Sequence, residues 1–344
     1  MKGKIVTMAI GLSLALSIAR ANAGLLLNPF TDPHPLLGGG TIGFTYAGNK
    51  FVGSVQADGA GNVLYSTDLS GGNVQLFAPT VNIPSGSQAS EHFVASSLGL
   101  AGFPSRDIYV AAGNNIIHIN NAGTTGGPFL TSPLASPVRG ILFDAIGTFG
   151  HEMLVTTLGG QIYRVNSAGN PSLLASVGED TEGLDIAPFA AGFGAFDGQL
   201  IVASEGSGLI RAISTSGVVT PVTTVPSAEE LTFVPLNLGV SGDPVEGFYG
   251  ANYTPNVLKG AASEFTGFLG DAIVTGETTH LVNRIHWDGS SFDVSTIGNF
   301  PNQPEDGIFV TAAIIHPTPD QGPGLALFGA LIAMLLWAGR RQAA

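Results

Sequence analysis

The chain has 344 residues, a formal net charge of −13 at pH 7, 49 glycines, 21 prolines and no cysteine. Without cysteine there is no disulfide framework and no thiolate zinc site, so burial alone must hold the core together. Lysine and arginine number 12 against 25 acidic residues, which argues against nucleic acid or anionic lipid as a partner and leaves divalent cations as plausible ones.

Taken in chain order, Lys2 and Lys4 precede an uncharged stretch from Ile5 to Ala19, and Ala21-Asn22-Ala23 offers a small-x-small cleavage pattern. A basic start, an apolar run and a small-residue cut are the parts of a secretory signal peptide, assigned to residues 1–23, with the mature chain beginning at Gly24. Arg20 departs from that pattern close to the cut, and a retained N-terminal anchor is the alternative. Residues 24–43 read as an N-terminal arm. Five of the 12 basic residues (Lys2, Lys4, Arg20, Arg340 and Arg341) lie in the terminal segments, so the body carries about 18 net negative charges.

From residue 44 to residue 315 the chain repeats itself. Each unit reads as a charged residue, a small residue and a short apolar run, then two further β-runs separated by turns. First runs start at Glu91-His-Phe-Val, Arg139-Gly-Ile-Leu-Phe, Glu182-Gly-Leu-Asp-Ile, Glu229-Glu-Leu-Thr-Phe and Asp306-Gly-Ile-Phe-Val, spaced by 48, 43, 47 and 77 residues. A second column begins at Asp107, Glu152, Gln199 and Asp271, and a third carries His118, Arg164, Arg211 and Arg284. Three or four short strands per period of about 45 residues predict an all-β chain folded as a β-propeller. The interval from Glu229 to Asp306 holds two extra β-runs, Gly247-Phe-Tyr-Gly-Ala and Asp271-Ala-Ile-Val, which favours six blades over five with an insertion. The stretch Phe51–Val81 shows no obvious first strand, so Asp306–Ile315 is expected to pair with it and close the ring, leaving no bare edge.

The chain ends in a polar, proline-bearing segment from His316, the motif Pro319-Asp320-Gln321-Gly322, an uncharged run over residues 322–339, and the pair Arg340–Arg341. The run as a helix rises roughly 27 Å, enough to span a hydrocarbon core of about 30 Å, and the arginines would stay cytoplasmic. A buried C-terminal core helix is the alternative. This tripartite tail, residues 316–344, resembles the PEP-CTERM family of bacterial sorting signals, in the variant with Pro-Asp-x-Gly. That resemblance implies an exosortase-type processing enzyme, a transient inner-membrane anchor, and release to the cell surface or an extracellular matrix.

The starts Glu182-Gly183-Leu184 and Asp306-Gly307-Ile308, with the glycine turns around the third strands, make the body resemble the six-bladed propellers of the gluconolactonase/SMP-30, NHL and soluble sugar dehydrogenase groups. In gluconolactonase-like propellers the matching column carries metal ligands, which points to Glu91, Glu182, Glu229 and Asp306. Independently of the resemblance, first residues of innermost strands face the channel, so this column should form a carboxylate ring at one mouth. Calcium, which takes six to eight oxygens with loose geometry, suits such a ring. Arg139, in the same column, is the competing neutraliser through bidentate pairing. The third column reads as ion pairs stapling the blades, with Glu205 and Glu277 as partners. No zincin motif is present, since Val155 stands where His151-Glu152 would need a second histidine, and there is neither a Gly-x-Ser-x-Gly elbow nor a phosphate-binding glycine loop.

Address signals, a repeat scaffold and no compelling catalytic constellation together predict a non-catalytic binding or structural module at the cell surface. Its expected partners are signal peptidase, the sorting enzyme, and an extracellular polysaccharide or surface protein. The alternative is a calcium-dependent propeller enzyme, a lactonase-like hydrolase or a sugar dehydrogenase, working at the channel mouth. Fold alone does not separate the two.

Overall fold

Short apolar runs broken by glycine turns bury both faces only when small sheets stack face to face, and the chain does this six times around a central channel. The computed structural model describes residues 24–56, 63–84 and 91–315. The signal peptide over residues 1–23 and the sorting tail over residues 316–344 lie outside the described residues. Among the described residues no helix is long and apolar enough to cross a membrane.

Every blade is a four-stranded antiparallel sheet whose strands run in order from the channel outwards. Blade 1 comprises Thr41–Tyr46, Phe51–Val55, Leu64–Thr67 and Gln75–Leu76, and blade 2 comprises Val94–Leu98, Ser105–Ala112, Asn115–Ile119 and Gly126–Pro128. Blade 3 is Val138–Phe143, Met153–Thr157, Gln161–Val165 and Pro171–Ser176, and blade 4 is Leu184–Ile186, Leu200–Ala203, Leu209–Ile213 and Val219–Thr224. Blade 5 takes Ala228–Phe233 as its inner strand and Ala272–Gly276, Leu281–Trp287 and Phe292–Asn299 as its outer three.

Blade 6 is stitched from three distant segments. Its inner strand is Gly307–Val310, its middle strands are the hairpin Gly247–Asn252 and Asn256–Ala261, and its outer strand is Leu27–Thr31. The hairpin leaves blade 5 between that blade's first and second strands, which accounts for the long interval before Asp306. The expected pairing of Asp306–Ile315 with Phe51–Val81 is therefore corrected. Blade 1 has its own inner strand, Thr41–Tyr46, and Gly307–Val310 pairs with Gly247–Asn252. The ends of the domain still meet in one sheet, through the outermost and innermost strands of blade 6.

Buried side chains form six apolar clusters, one at each blade interface. The closing interface, between blades 6 and 1, is the most aromatic. Phe51 packs on Tyr249 with ring centroids 4.6 Å apart and on Phe44 at 5.0 Å, and Phe30 from the N-terminal strand meets Tyr249 at 4.8 Å. Edge-on, tilted and stacked contacts of this kind add to plain area burial.

The glycine after the first charged residue of a blade has a steric cause. Inner strands converge on the channel, and a Cβ on Gly183 would lie 2.4 Å from the Leu231 nitrogen and 2.5 Å from the Glu229 carbonyl oxygen of the next blade. Gly140 would meet the Glu182 carbonyl oxygen at 2.5 Å in the same way. Only a residue without a Cβ lets neighbouring inner strands approach this closely.

Candidate functional site

The starts of the inner strands converge at one mouth of the channel, and Arg139 of blade 3 sits among them. Its Nη1 pairs with Oε2 of Glu91, its Nη2 donates to Oδ2 of Asp180 at 3.1 Å, and its Nε lies 3.3 Å from Oε1 of Glu182. Burial alone would push the guanidinium pKa down, but Glu182 and Asp180 hold it above its usual value. Three carboxylates thus crowd one cation, whose buried Nε faces Glu182 without making a hydrogen bond.

Beyond the Arg139 contacts the mouth is acid on acid. Glu182, Glu205 and Glu229 each offer an oxygen, all within 4.8 Å of one another. Glu277 and Glu305 flank them, and Nε2 of Gln303 bridges these two at 2.5 and 2.7 Å. Burial pushes Glu182 up to about 7 against the pull of Arg139, while Glu205 is pushed up to about 7 first by its hydrogen bond with Glu277 and then by burial. Glu229 and Glu305 are raised well above the carboxylate range, by burial first and then by neighbouring acids. Oε2 of Glu229 is buried and has no hydrogen-bond partner. A mouth with this many carboxyl groups and one engaged guanidinium either holds protons or accepts a cation.

The sequence-predicted column is split by this geometry. Glu182 and Glu229 come together as expected, Glu91 lies against Arg139, and Asp306 faces down the channel while its neighbour Glu305 occupies the mouth. Glu205, Glu277 and Glu305 were not predicted at the mouth. Glu205 and Glu277 follow the second strands of blades 4 and 5, Leu200–Ala203 and Ala272–Gly276, on turns that rise to the same face as the inner-strand starts. That shared position was the available signal.

Asp306 belongs to a second tier with Asp185 and Glu230, inside the channel. Oδ2 of Asp306 accepts the Phe44 amide at 2.9 Å, and Oδ2 of Asp185 accepts the Phe233 amide at 2.7 Å, each tying one inner strand to the next. Burial raises Asp185 to about 6 and Asp306 to about 7. This tier lines a cavity of about 420 Å³ that runs from Glu182 to the loops following the inner strands.

The third-strand column does pair with acids, though not with Glu205 or Glu277. Arg164 Nε lies 2.7 Å from Glu152, Arg284 Nε 2.5 Å from Asp271, and His118 Nε2 2.8 Å from Asp107, all partners at the foot of the second strand. Arg211 breaks the series because it stands opposite Val202 rather than Ile201. A shift of one residue turns a strand side chain to the other face, and Arg211 there pairs with Glu179 and donates to Ser204 Oγ at 2.9 Å.

These features define a six-bladed propeller with an acidic channel mouth. No protein-family model matches the chain, and no curated protein sequence does. Among solved structures it is similar to a protein of Thermus thermophilus provisionally described as an oxidoreductase (glucose dehydrogenase), with 13% identity over 82% of this chain and 90% of that one and a TM-score of 0.53. It is also similar to a chain of a nidogen–laminin complex, with 13% identity over 78% and 83% and a TM-score of 0.51. A protein provisionally described as a gluconolactonase matches with 11% identity over 84% and 87% and a TM-score of 0.50. At these identities the likeness is one of fold.

Proposed function

We propose that this protein is an exported six-bladed propeller of the cell surface or extracellular matrix that takes up a divalent cation, calcium foremost, at its acidic mouth and acts as a cation-dependent binding module. The observation that carries the reading is the triad Glu182, Glu205 and Glu229, with oxygens within 4.8 Å of one another and a buried, unpartnered Oε2 on Glu229. Hard carboxylate oxygens in a loose group match calcium, and neither thiolate nor histidine stands in the group. Export rests on the signal peptide and on the Pro319, Asp320 and Gly322 motif with Arg340 and Arg341. The partners that fit are signal peptidase, an exosortase-type enzyme, and an extracellular polysaccharide or surface protein.

The test is a set of thermal melts of parent and Glu229→Gln, each with calcium and with chelator. A cation bound only by the folded state stabilises the parent by about 2.7 kcal/mol at a hundredfold excess over Kd. The variant should lose most of that gain. A parent whose melt ignores calcium discards the cation reading. Fractionation of cells expressing a chain with Arg340 and Arg341 made neutral tests export separately, and release identical to the parent's would remove the sorting reading.

A second reading, a lactonase-like hydrolase or sugar dehydrogenase on the same mouth, is favoured by one observation. The Glu182 and Glu205 carboxyls are poised near 7 beside the cation position, which suits proton transfer at neutral pH. Calcium-dependent lactone hydrolysis or sugar oxidation that disappears in Glu182→Gln while the fold survives would establish it in place of the module.

A further inference from the structure

Below the mouth the channel widens into a chamber that begins at Glu182. It holds about 420 Å³ and is walled by inner-strand side chains including Ile141, Phe143, Phe233 and Ile308. A volume of this order accommodates a small ligand. Asp185, Glu230 and Asp306 line it. Asp185 and Asp306 are saturated by backbone amides and, for Asp185, by the Thr232 hydroxyl. Glu230 is different. It is 9% exposed, and among the described residues no side-chain hydrogen bond to its carboxyl is seen.

Arg106 is the basic residue that lines the cavity, and it is engaged elsewhere. Its guanidinium lies 5.3 Å from the Tyr46 ring centroid and its Nη2 donates to the Ile314 carbonyl at the rim. The chamber therefore presents an apolar wall, a buried acid without a counter-charge among the described residues, and the negative potential of a strongly acidic body. A carboxyl in that position is satisfied by a ligand cation with an apolar body, since desolvated charge pairing is strong only when the partner arrives with it.

We propose that this chamber binds a small apolar amine, with its body among Ile141, Phe143, Phe233 and Ile308 and its ammonium on the Glu230 carboxylate. The site shares Glu182 with the cation mouth but takes its ammonium one tier further in, on Glu230.

The experiment is calorimetric titration of the full chain in detergent with benzylamine, benzyl alcohol and benzoate, which share a ring and differ in charge. Benzylamine binds tightest and benzoate not at all. Glu230→Gln weakens benzylamine by about tenfold or more while leaving benzyl alcohol unchanged, the size expected for a charge-assisted contact. Ile141→Trp fills the chamber and removes binding of both, which keeps the test decisive if Glu230→Gln fails to fold. A parent that binds none of the probes, or binds amine and alcohol equally, overturns the proposal, as does a folded Glu230→Gln with undiminished amine affinity or an Ile141→Trp that still binds amine. Calcium-dependent melts run in parallel separate this outcome from the fate of the mouth, because Glu230→Gln should leave the calcium response intact.

Discussion

The two ends of the channel are built from the same strands, and even from adjacent residues, yet they are chemically opposite. Glu229 and Glu305 stand at the mouth, whereas their sequence neighbours Glu230 and Asp306 point into the chamber. The alternation of a β-strand separates Glu229 from Glu230, while Glu305 and Asp306 part in the segment just before the strand Gly307–Val310. At the mouth, acids meet acids and one guanidinium, so charge there is shared and depends on what enters from solvent. Inside, Asp185 and Asp306 each accept backbone amides from the neighbouring inner strand, so their polarity is consumed by the fold. One tier is available for chemistry, while in the other only Glu230 is.

The largest break in this contrast should come from Arg139→Ala. It leaves Glu182 and Asp180, both largely buried beside the lost guanidinium, without a counter-charge. Removing one partner of a buried ion group typically costs about 3–5 kcal/mol. A chemical-denaturation series should show a loss of that order in chelator, with partial recovery in calcium. A loss well under 1 kcal/mol would mean that protons, not Arg139, neutralise the mouth.

The pH dependence of stability should sharpen the same contrast with a smaller effect. Glu182 and Glu205 have folded-state values near 7, above the ordinary 4.5. Over the interval between those values the folded state holds more protons than the unfolded one, so stability falls as pH rises from about 4.5 through about 7. Calcium binds the ionised carboxylates and should abolish the fall. Melting temperatures from pH 4.5 to 8, with calcium and with chelator, measure this directly. A chelator curve that rises over the interval contradicts the protonated mouth.

Inside the channel, Asp306→Asn should cost only about 1 kcal/mol. The amide oxygen can keep one of the two backbone contacts, from Phe44 or Gly307, and a typical hydrogen bond contributes about that much. The variant should leave the calcium response untouched, which tests the placement of Asp306 below the mouth rather than in it. A calcium response lost in Asp306→Asn would return Asp306 to the ligand set.

Blades 2 to 5 were legible because each is contiguous or nearly so, and in blades 3 and 4 the glycine after the first charged residue, Gly140 and Gly183, marks where inner strands crowd. Thr41–Tyr46 escaped notice because it lacks the charged start, although Gly43 obeys the same rule, with a Cβ there meeting the Val94 nitrogen at 2.6 Å. Blade 6 was misassigned because its strands come from three places, and pairing between distant segments leaves no local periodicity to read. At the site, Arg139, Glu182 and Glu229 were visible as a column. Glu205 and Glu277 were visible as acids but assigned to the arginine column, whose real partners, Asp107, Glu152 and Asp271, lie at the foot of the second strands. Asp306 and Glu305 differ by one position, which sequence spacing over an interval of 77 residues does not resolve.

The smallest expected effect belongs to those outer pairs, which serve as the reference against which both ends of the channel are measured. Arg164 and Glu152 are about one-third and one-quarter exposed, at 32% and 27% of their side chains, and Arg164 also donates to the Phe149 carbonyl at 3.1 Å. Solvent screens such a pair, and ordering two long side chains offsets most of the attraction, so exposed pairs contribute about 0–1 kcal/mol. Arg164→Ala should therefore change stability by no more than about 1 kcal/mol, with no dependence on calcium and a further decrease of the effect in high salt. A loss approaching that of Arg139→Ala would mean that the outer column carries as much of the fold's electrostatics as the mouth does. The mouth's carboxyl groups would then be unusual for their crowding alone, and only the unpartnered oxygen of Glu229 would still point to a cation there.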